Sequence, residues 1–333
     1  MTTSLPAALE VRDAVKHFSG RGRRPAPVRA VDGVSFAVAP GEMYAVVGES
    51  GCGKSTLANM ALGLLAPTSG ELLVEGTPVA SRSRRALRDM RRAVQMIFQD
   101  PYEALNPLMT IEEIVGEPLA VHHIGRRGAD RRERVCQALR AAGLSPAEQY
   151  LPRRPHELSG GQRQRVVIAG AMVLEPRVLV ADEPVSMLDV SIRAEILNLL
   201  KELSRTRALG VVLITHDLSL LPGYADRVGV MYLGRIVEEG TVDEVLASPA
   251  HPYTKALLSV VPTAHPVPGR RRIILSGETP DAARMPPGCR FHPRCPEVVE
   301  LCPAVDPADV ALSPTHRAAC LLLLGAGPRP DAH

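Results

Sequence analysis

Residues 43–65, MYAVVGESGCGKSTLANMALGLL, set a glycine-rich octet between an apolar run and a helical one. The octet GESGCGKS (48–55) fits the spacing G-x-x-x-x-G-K-[ST]. Phosphate oxygens need several N–H donors approaching closely without side-chain clashes. Gly48, Gly51 and Gly53 let the backbone fold into such a nest, and the helix that follows adds its positive end. Lys54 can then reach the β- and γ-phosphates, and Ser55 can offer an oxygen to Mg²⁺. The fixed Lys-Ser pair and the strand–turn–helix context argue against a chance glycine turn. Alone the octet specifies nucleotide binding and no particular reaction.

The rest of the chain fits that frame. ALEVRD and VSFAVAPGE read as strands around a basic loop, and MYAVV, AVQMIF (93–98), RVLVADEP (177–184) and VVLITHD (211–217) as further strands. SGGQRQRVVIAGAMVLEP and VSIRAEILNLLKELSRT have helical patterns, the first with a Ser start and a Pro stop. Strands alternating with helices predict a parallel sheet covered on both faces. Residues 110–150 are charged, keep helical apolar spacing and carry no strand pattern, so they predict a helical insertion. Beyond residues 250–265 proline density rises and four of the six cysteines appear.

A second glycine pair opens a helix at LSGGQ (158–162). Ser159 suits a helix cap and donor. An ordinary helix start does not explain Gly160 and Gly161, which cost helix stability. The strand VLVAD delivers Asp182 and Glu183 at its carboxyl end: one carboxylate to hold Mg²⁺ through water, one to orient and deprotonate an attacking water. His216 ends the strand VVLITH, facing the crevice where such sheets bind ligands.

This ordered set resembles the ATP-binding subunit of ABC transporters over residues 8–260. The resemblance implies an α/β P-loop ATPase core, with a mostly parallel sheet, an antiparallel β subdomain and a helical subdomain. Residues 1–255 would form the ATPase domain, with the helical subdomain at about 100–175, and 256–333 a small Cys/Pro-rich extension. Gly48, Glu49, Ser50, Gly51, Cys52, Gly53, Lys54, Ser55 and Thr56 look like the Walker A loop. Gln99 looks like the Q-loop glutamine, sharing the Mg²⁺ with Ser55 and Asp182. Ser159, Gly160, Gly161 and Gln162 look like the signature motif, and Leu188 and Asp189 like the D-loop. Asp182 and Glu183 look like Walker B with its catalytic carboxylate, and His216 like the switch histidine. Phe18 matches the aromatic that stacks on adenine. Met187 stands in the D-loop where alanine is common, which implies modest repacking at a dimer seam. In this family two chains pack head to tail, so Ser159, Gly160, Gly161, Gln162 and Asp189 would serve ATP held by the partner's loop.

More narrowly, FQDPYEALNPLMTI, HELSGGQRQRVVIAGAM, HPYTKALLSVVP and the cysteine tail are similar to the oligopeptide/dipeptide importer ATPases, some nickel importers sharing the layout. The partners implied are two membrane-spanning permeases, a second ATPase subunit in a heterodimer, and indirectly an extracytoplasmic peptide-binding protein. The place implied is the cytoplasmic face of the cell membrane. An ABC ATPase uncoupled from transport is the alternative; those usually carry two ATPase modules in one chain or a long coiled-coil insertion, and neither pattern occurs here.

Composition argues against other classes. Net charge is +3 and aromatics are 3%, so nothing points to nucleic acid. The basic runs at 81–92, 125–135 and 269–272 read as solvated faces. The start, MTTSLPAALEVRDAVKHF, has no apolar core of signal-peptide length, and no run of about 18 apolar residues occurs. A cytosolic chain is expected, so stable disulfides are not. The spacing Cys289-x5-Cys295-x6-Cys302-x17-Cys320 lacks the tight pairs of structural zinc. On the residues alone, the four thiols, with His292 and His316 as surface loop histidines, stay open between metal ligation and plain packing. The family resemblance implies a [4Fe–4S] cluster there, with zinc as the alternative, acting as a staple for a tail that lacks a large core. Cys52, at a helix N-terminus, is expected to be a stabilised thiolate. Cys136 reads as a small buried residue.

Overall fold

A computed structural model describes residues 6–19, 26–79, 83–125, 128–261 and 272–324. β1 (Leu9–Phe18) and β2 (Val28–Val38) pair antiparallel. β3 (Met43–Val47) is buried at every position, as an unbroken apolar strand covered on both faces must be. The glycine loop leads straight from it into α1 (Lys54–Ala61). β4 (Ser69–Val74) returns to β1, and β5 (Thr77–Pro78) closes a four-stranded antiparallel sheet, β2–β1–β4–β5.

α2 (Arg84–Ala93) runs into β6 (Val94–Ile97). A helical block follows: α3 (Pro101–Ala104), α4 (Ile111–Val121), α5 (Ala129–Ala141) and α6 (Gly160–Met172). Ile111, Val115 and Leu119 on α4 bury against Val135 and Leu139 on α5 and Val166 on α6, the 3.6-residue period at work. Thr110 and Glu113 form a capping box that fixes the start of α4. The chain then returns to the sheet through β7 (Val178–Asp182), α7 (Val190–Arg207), β8 (Gly210–Thr215), β9 (Arg227–Tyr232) and β10 (Arg235–Thr241). α8 (Val242–Ala247), α9 (Pro252–Ser259), β11 (Val310–Ala311) and β12 (Arg317–Ala318) complete the elements.

The main sheet has eight strands in the order β11–β12–β10–β9–β3–β8–β7–β6. β9, β3, β8, β7 and β6 are mutually parallel, and β10, β12 and β11 extend them antiparallel. The expected mixture of parallel core, antiparallel β unit and helical unit is what the chain forms. Cys136 is buried on α5 as expected. Arg85, Arg88, Arg91 and Arg92 on α2 are exposed, as a solvated face requires. Residues 81–82, 126–127 and 269–271 of the basic runs lie outside the described residues. No helix among the described residues is long and apolar enough to cross a membrane.

The C-terminal segment, expected to lack a large core of its own, packs on the rest of the chain: Cys289, Phe291 and Cys302 join the main core, and β12 lengthens the main sheet through β10. Two side-chain pairs add to this. His316 is buried, and its Nε2 lies 2.8 Å from Glu238. Arg317 reaches Glu239 at 2.5 Å. The reading of His316 as a surface loop histidine is therefore wrong. Its carboxylate partner lies 78 residues away, so nothing local in the sequence announced the pair.

Candidate nucleotide site

The glycine loop ends β3 in a conformation that larger residues cannot adopt. Gly53 has φ +115°, and a Cβ there would lie 2.1 Å from the Ala30 carbonyl oxygen. A Cβ on Gly48 would lie 2.1 Å from the Met231 carbonyl oxygen. Both glycines are therefore demanded by close backbone approach as well as by the turn. Lys54 is only 8% exposed, and its Nζ donates to the Gly48 and Glu49 carbonyls at 2.6 and 3.0 Å. The ammonium is thus stationed inside the loop.

A cavity of about 700 Å³ opens over this loop. Gly48, Glu49, Ser50, Gly51, Gly53, Lys54, Ser55, Thr56, Gln99, Asp182, Glu183 and His216 line it, so residues spread over 169 positions of sequence meet at one edge of the sheet. Burial, and then the neighbouring Glu183, push the Asp182 carboxyl above its ordinary value, against the pull of Lys54 and a hydrogen bond with Ser55. A half-buried carboxylate hydrogen-bonded to a hydroxyl beside the loop is a hard oxygen pair suited to a divalent cation.

Glu183 has φ +48°, the left-handed region that non-glycine residues rarely occupy. Its N–H donates to the Ile214 carbonyl at 2.9 Å, and Ser186 donates from N and Oγ to its carbonyl at 3.2 and 3.1 Å. These bonds hold the strained residue so that its carboxylate meets His216: Nδ1 and Oε1 are 2.6 Å apart. Sequence reasoning named both residues but not their direct contact.

Two residues expected at the ATP site do not line the cavity. Cys52 does not line the cavity: it is 1% exposed, its thiol is pushed up by burial, and Lys54 Nζ lies 3.8 Å from Sγ. The expectation of a stabilised thiolate is corrected, because desolvation outweighs the helix end and the ammonium. Phe18 is not among the lining residues either; its β-ladder partner Val28 is. Met187 is exposed on the surface near Asp189.

The second glycine pair does not line this cavity. Ser159 Oγ accepts the Gln162 N–H at 3.3 Å, and Gln162 Oε1 accepts the Ser159 N–H at 3.1 Å, a capping box at the head of α6. A Cβ on Gly161 would lie 2.9 Å from Ile192 Cγ2. Close packing on α7 is thus one reason for a glycine there, which the sequence did not reveal. None of Ser159, Gly160, Gly161, Gln162 or Asp189 lines the cavity.

Several cavity partners went unforeseen. Leu257 and Ala282 line it from beyond residue 255. Tyr253 Oη accepts the Glu49 N–H at 2.9 Å. Thr279 and Arg294 hold the Glu49 side chain, each at 2.7 Å. Each spans 200 residues or more, and no local pattern marks them.

The four tail cysteines are unpaired, with Cys289, Cys302 and Cys320 buried and Cys295 half-buried. Burial pushes the Cys295 thiol up to about 11, with Cys289, Cys320 and Cys302 near enough to add to the shift. Backbone N–H groups of Phe291 and His292 face the Cys289 sulfur, that of Glu297 faces Cys295, and that of Leu322 faces Cys320. The Val299 N–H lies 3.5 Å from Cys302 Sγ. Among the described residues, however, no group of three or more His, Cys, Asp or Glu side chains is arranged to hold a metal ion.

Known proteins share this layout. The family description "ABC transporter" matches residues 31–186, and "Oligopeptide/dipeptide transporter, C-terminal region" matches residues 237–302. A probable peptide ABC transporter ATP-binding protein of Sinorhizobium fredii, y4tS, is 46% identical over 319 residues, 94% of this chain and 89% of that protein. The di/tripeptide transport ATP-binding protein DppF of Pseudomonas aeruginosa is 45% identical, over 95% of this chain and 98% of that protein. Among solved structures, cbiO1 of Clostridium perfringens, part of the ABC transporter complex cbiONQ, superposes with TM-score 0.65 at 32% identity, covering 73% of this chain and 92% of that one. The ATP-binding cassette MJ0796, solved as a post-hydrolysis dimer with ADP and Pi, gives TM-score 0.62 at 30% identity, covering 70% of this chain and 98% of that one. The glycine loop, the strained carboxylate with its histidine and these likenesses agree: the chain belongs to the ABC transporter ATP-binding family and is an ATPase of that class.

Proposed function

We propose that this ATPase energises uptake of oligopeptides or dipeptides through two separate membrane-spanning permeases, working at the cytoplasmic face of the membrane. The observation that carries the catalytic part is the Glu183–His216 contact of 2.6 Å above the cavity that holds Lys54. In this reading the loop's N–H groups and the Lys54 ammonium take the β- and γ-phosphates of ATP. Ser55, Asp182 and Gln99 would hold a Mg²⁺, which would supply neutralisation of phosphate charge. Glu183 accepts a proton from the attacking water, His216 keeps that carboxylate aimed, and the water oxygen bonds the γ-phosphorus as its bond to ADP breaks. Phe18 faces the adenine.

Ser159, Gly160, Gly161, Gln162 and Asp189 serve the nucleotide of a second ATPase subunit packed head to tail. Their absence from their own cavity and the dimeric relative MJ0796 support this. A heterodimer with a related ATPase fits the importer reading, with an extracytoplasmic peptide-binding protein as an indirect partner. Phe98, Tyr102 and Leu108 are exposed apolar residues just around Gln99, which supports a permease contact there. Residues 1–255 are the ATPase domain and 256–333 the extension that marks the peptide branch. In that extension Cys289, Cys295, Cys302 and Cys320 are proposed ligands of a [4Fe–4S] cluster with a structural role. Four neighbouring sulfurs, each with a backbone N–H, suit it, although the sulfurs as they stand do not form a ready metal group.

Reconstitution tests the transport reading. The complex captured with this chain should contain two multi-span permeases and support ATP-driven peptide uptake into vesicles; a chain that hydrolyses ATP but is recovered without permeases overturns it. Anaerobic purification tests the cluster. A brown chromophore lost in Cys295→Ser supports it, and stoichiometric zinc without iron replaces it.

A further inference from the structure

Glu49 is an acid placed among phosphate-binding residues. It lines the same cavity as Lys54, Asp182 and Glu183, so three carboxylates and one ammonium face the space where a polyanion must sit. Asp182 and Glu183 have work to do there with a cation and a water. Glu49 has none that the hydrolytic scheme requires, and an uncompensated carboxylate beside the phosphates would repel them.

The chain deals with this from 245 residues away. Arg294 Nη1 lies 2.7 Å from Glu49 Oε2, and Nη2 lies 3.3 Å from Oε1, a two-pronged contact. The arginine side chain is 9% exposed, so solvent screens the pair weakly. Thr279 Oγ1 donates to the same Oε2 at 2.7 Å and accepts from Arg294 Nη1 at 3.2 Å. Tyr253 accepts the Glu49 backbone N–H at 2.9 Å. Three residues from beyond β10 therefore grip one loop residue by both its backbone and its side chain. The arginine itself is seated: it closes a short turn, His292–Arg294, whose flanks Cys289 and Phe291 lie in the main core.

We propose that Arg294 is a positioning residue of the nucleotide site: it fixes the phosphate loop through Glu49 and cancels that carboxylate's charge so that the phosphates can approach. The C-terminal segment is thus a working part of the ATP site. Arg294 does not line the cavity and reaches it through Glu49. The inference rests on the ATPase reading, and wild-type hydrolysis measured in parallel separates a failure of one from a failure of the other.

Binding of a fluorescent ATP analogue and steady-state hydrolysis test it, on the full chain with melting curves for each variant. Arg294→Ala should raise the Kd and the KM for ATP about tenfold, with kcat within about threefold, since the loss falls on bound and transition states alike. Glu49→Gln in the Arg294→Ala background should bring the Kd back to within about threefold of wild type, because the bare carboxylate is gone. A merely structural role predicts no such rescue. Arg290→Ala is the control: Arg290 pins the same tail through Asp32 and the Leu233 carbonyl, and neither it nor Asp32 lines the cavity. An equal rise in Kd for Arg290→Ala and Arg294→Ala, or no rescue by Glu49→Gln, overturns the proposal. If Arg294→Ala does not fold, Thr279→Val reports instead: a Kd raised about threefold at an unchanged melting temperature supports the grip, and an unchanged Kd overturns it.

Discussion

Two glycine-rich helix starts, the loop ending at Gly53 and the turn at Ser159, begin from the same chemistry and finish differently. Both place glycines where backbone N–H groups and a helix end favour an anion. The first opens onto a cavity of about 700 Å³ that its own chain completes with Asp182, Glu183 and His216. The second spends Ser159 and Gln162 on each other as a cap and opens onto no cavity residue of its own chain. A glycine pair at a helix head therefore does not locate a site. What locates it is convergence of groups from distant strands, and only the first start has that.

The largest test strikes the side that has it. Glu183→Gln keeps the shape of the side chain but removes the proton acceptor, so hydrolysis should fall by about 10³-fold while ATP still binds. Retained turnover in a phosphate-release assay would remove Glu183 as the base and with it the main contrast between the two starts.

The contrast was only half legible in sequence. MYAVV followed by GESGCGKS named both strand and loop, because a buried parallel strand and a phosphate nest are each local patterns. Asp182, Glu183 and His216 could be named because each ends an apolar strand. Their contact could not, since it depends on the left-handed backbone of Glu183, which the Ile214 carbonyl and Ser186 hold in place. How the tail is seated was illegible for a related reason: prolines and cysteines marked an extension, but β12 pairs with β10 through only two residues and His316 finds Glu238 across 78 positions. Such contacts leave no periodic trace.

If the second start serves a partner's nucleotide, two crippled chains should repair each other. Ser159→Ala should lower turnover about 100-fold, the scale for losing one anion-facing donor, and cost about 1 kcal/mol as a lost cap. Mixing it with Lys54→Ala chains creates one site with an intact loop from one chain and an intact Ser159 from the other. Hydrolysis should then recover in the mixture. No recovery at concentrations where the chains dimerise would mean that both starts act in one chain, and the comparison would collapse.

Acid should loosen the first start and spare the second. His251 Nδ1 accepts the Tyr253 N–H at 3.0 Å as the cap of α9, and Tyr253 in turn holds the Glu49 N–H. Burial pushes His251 down to about 4, against the attraction of Glu238 and with a small push from Lys255. The folded pKa lies below the ordinary 6.5, so the unfolded chain takes up more protons once the pH drops below 6.5. Stability should fall between pH 7 and pH 5 by about 2 kcal/mol from this group. Melting temperature against pH checks the slope, and His251→Asn should flatten it. Amide exchange at pH 5 should quicken at Glu49 more than in α6; equal quickening would detach the loop from the tail.

The smallest effect concerns the one thiol inside the loop. Cys52 is 1% exposed and its thiol is raised by burial, so it stays protonated and shielded near neutral pH. N-ethylmaleimide should label it slowly, with or without ATP, and Cys52→Ala should keep turnover within about threefold while costing about 1 kcal/mol for the small void. Sγ sits 2.8 Å from where a Cβ on Gly48 would stand, so the sulfur fills the inside of the turn rather than its mouth. In the first start even the side chain between two glycines points into the protein, leaving the mouth to backbone N–H groups. In the second, Ser159 stands at the mouth itself. Rapid labelling of Cys52 that ATP blocks would place the sulfur at the phosphates and make the two starts alike in the one respect where they now differ most.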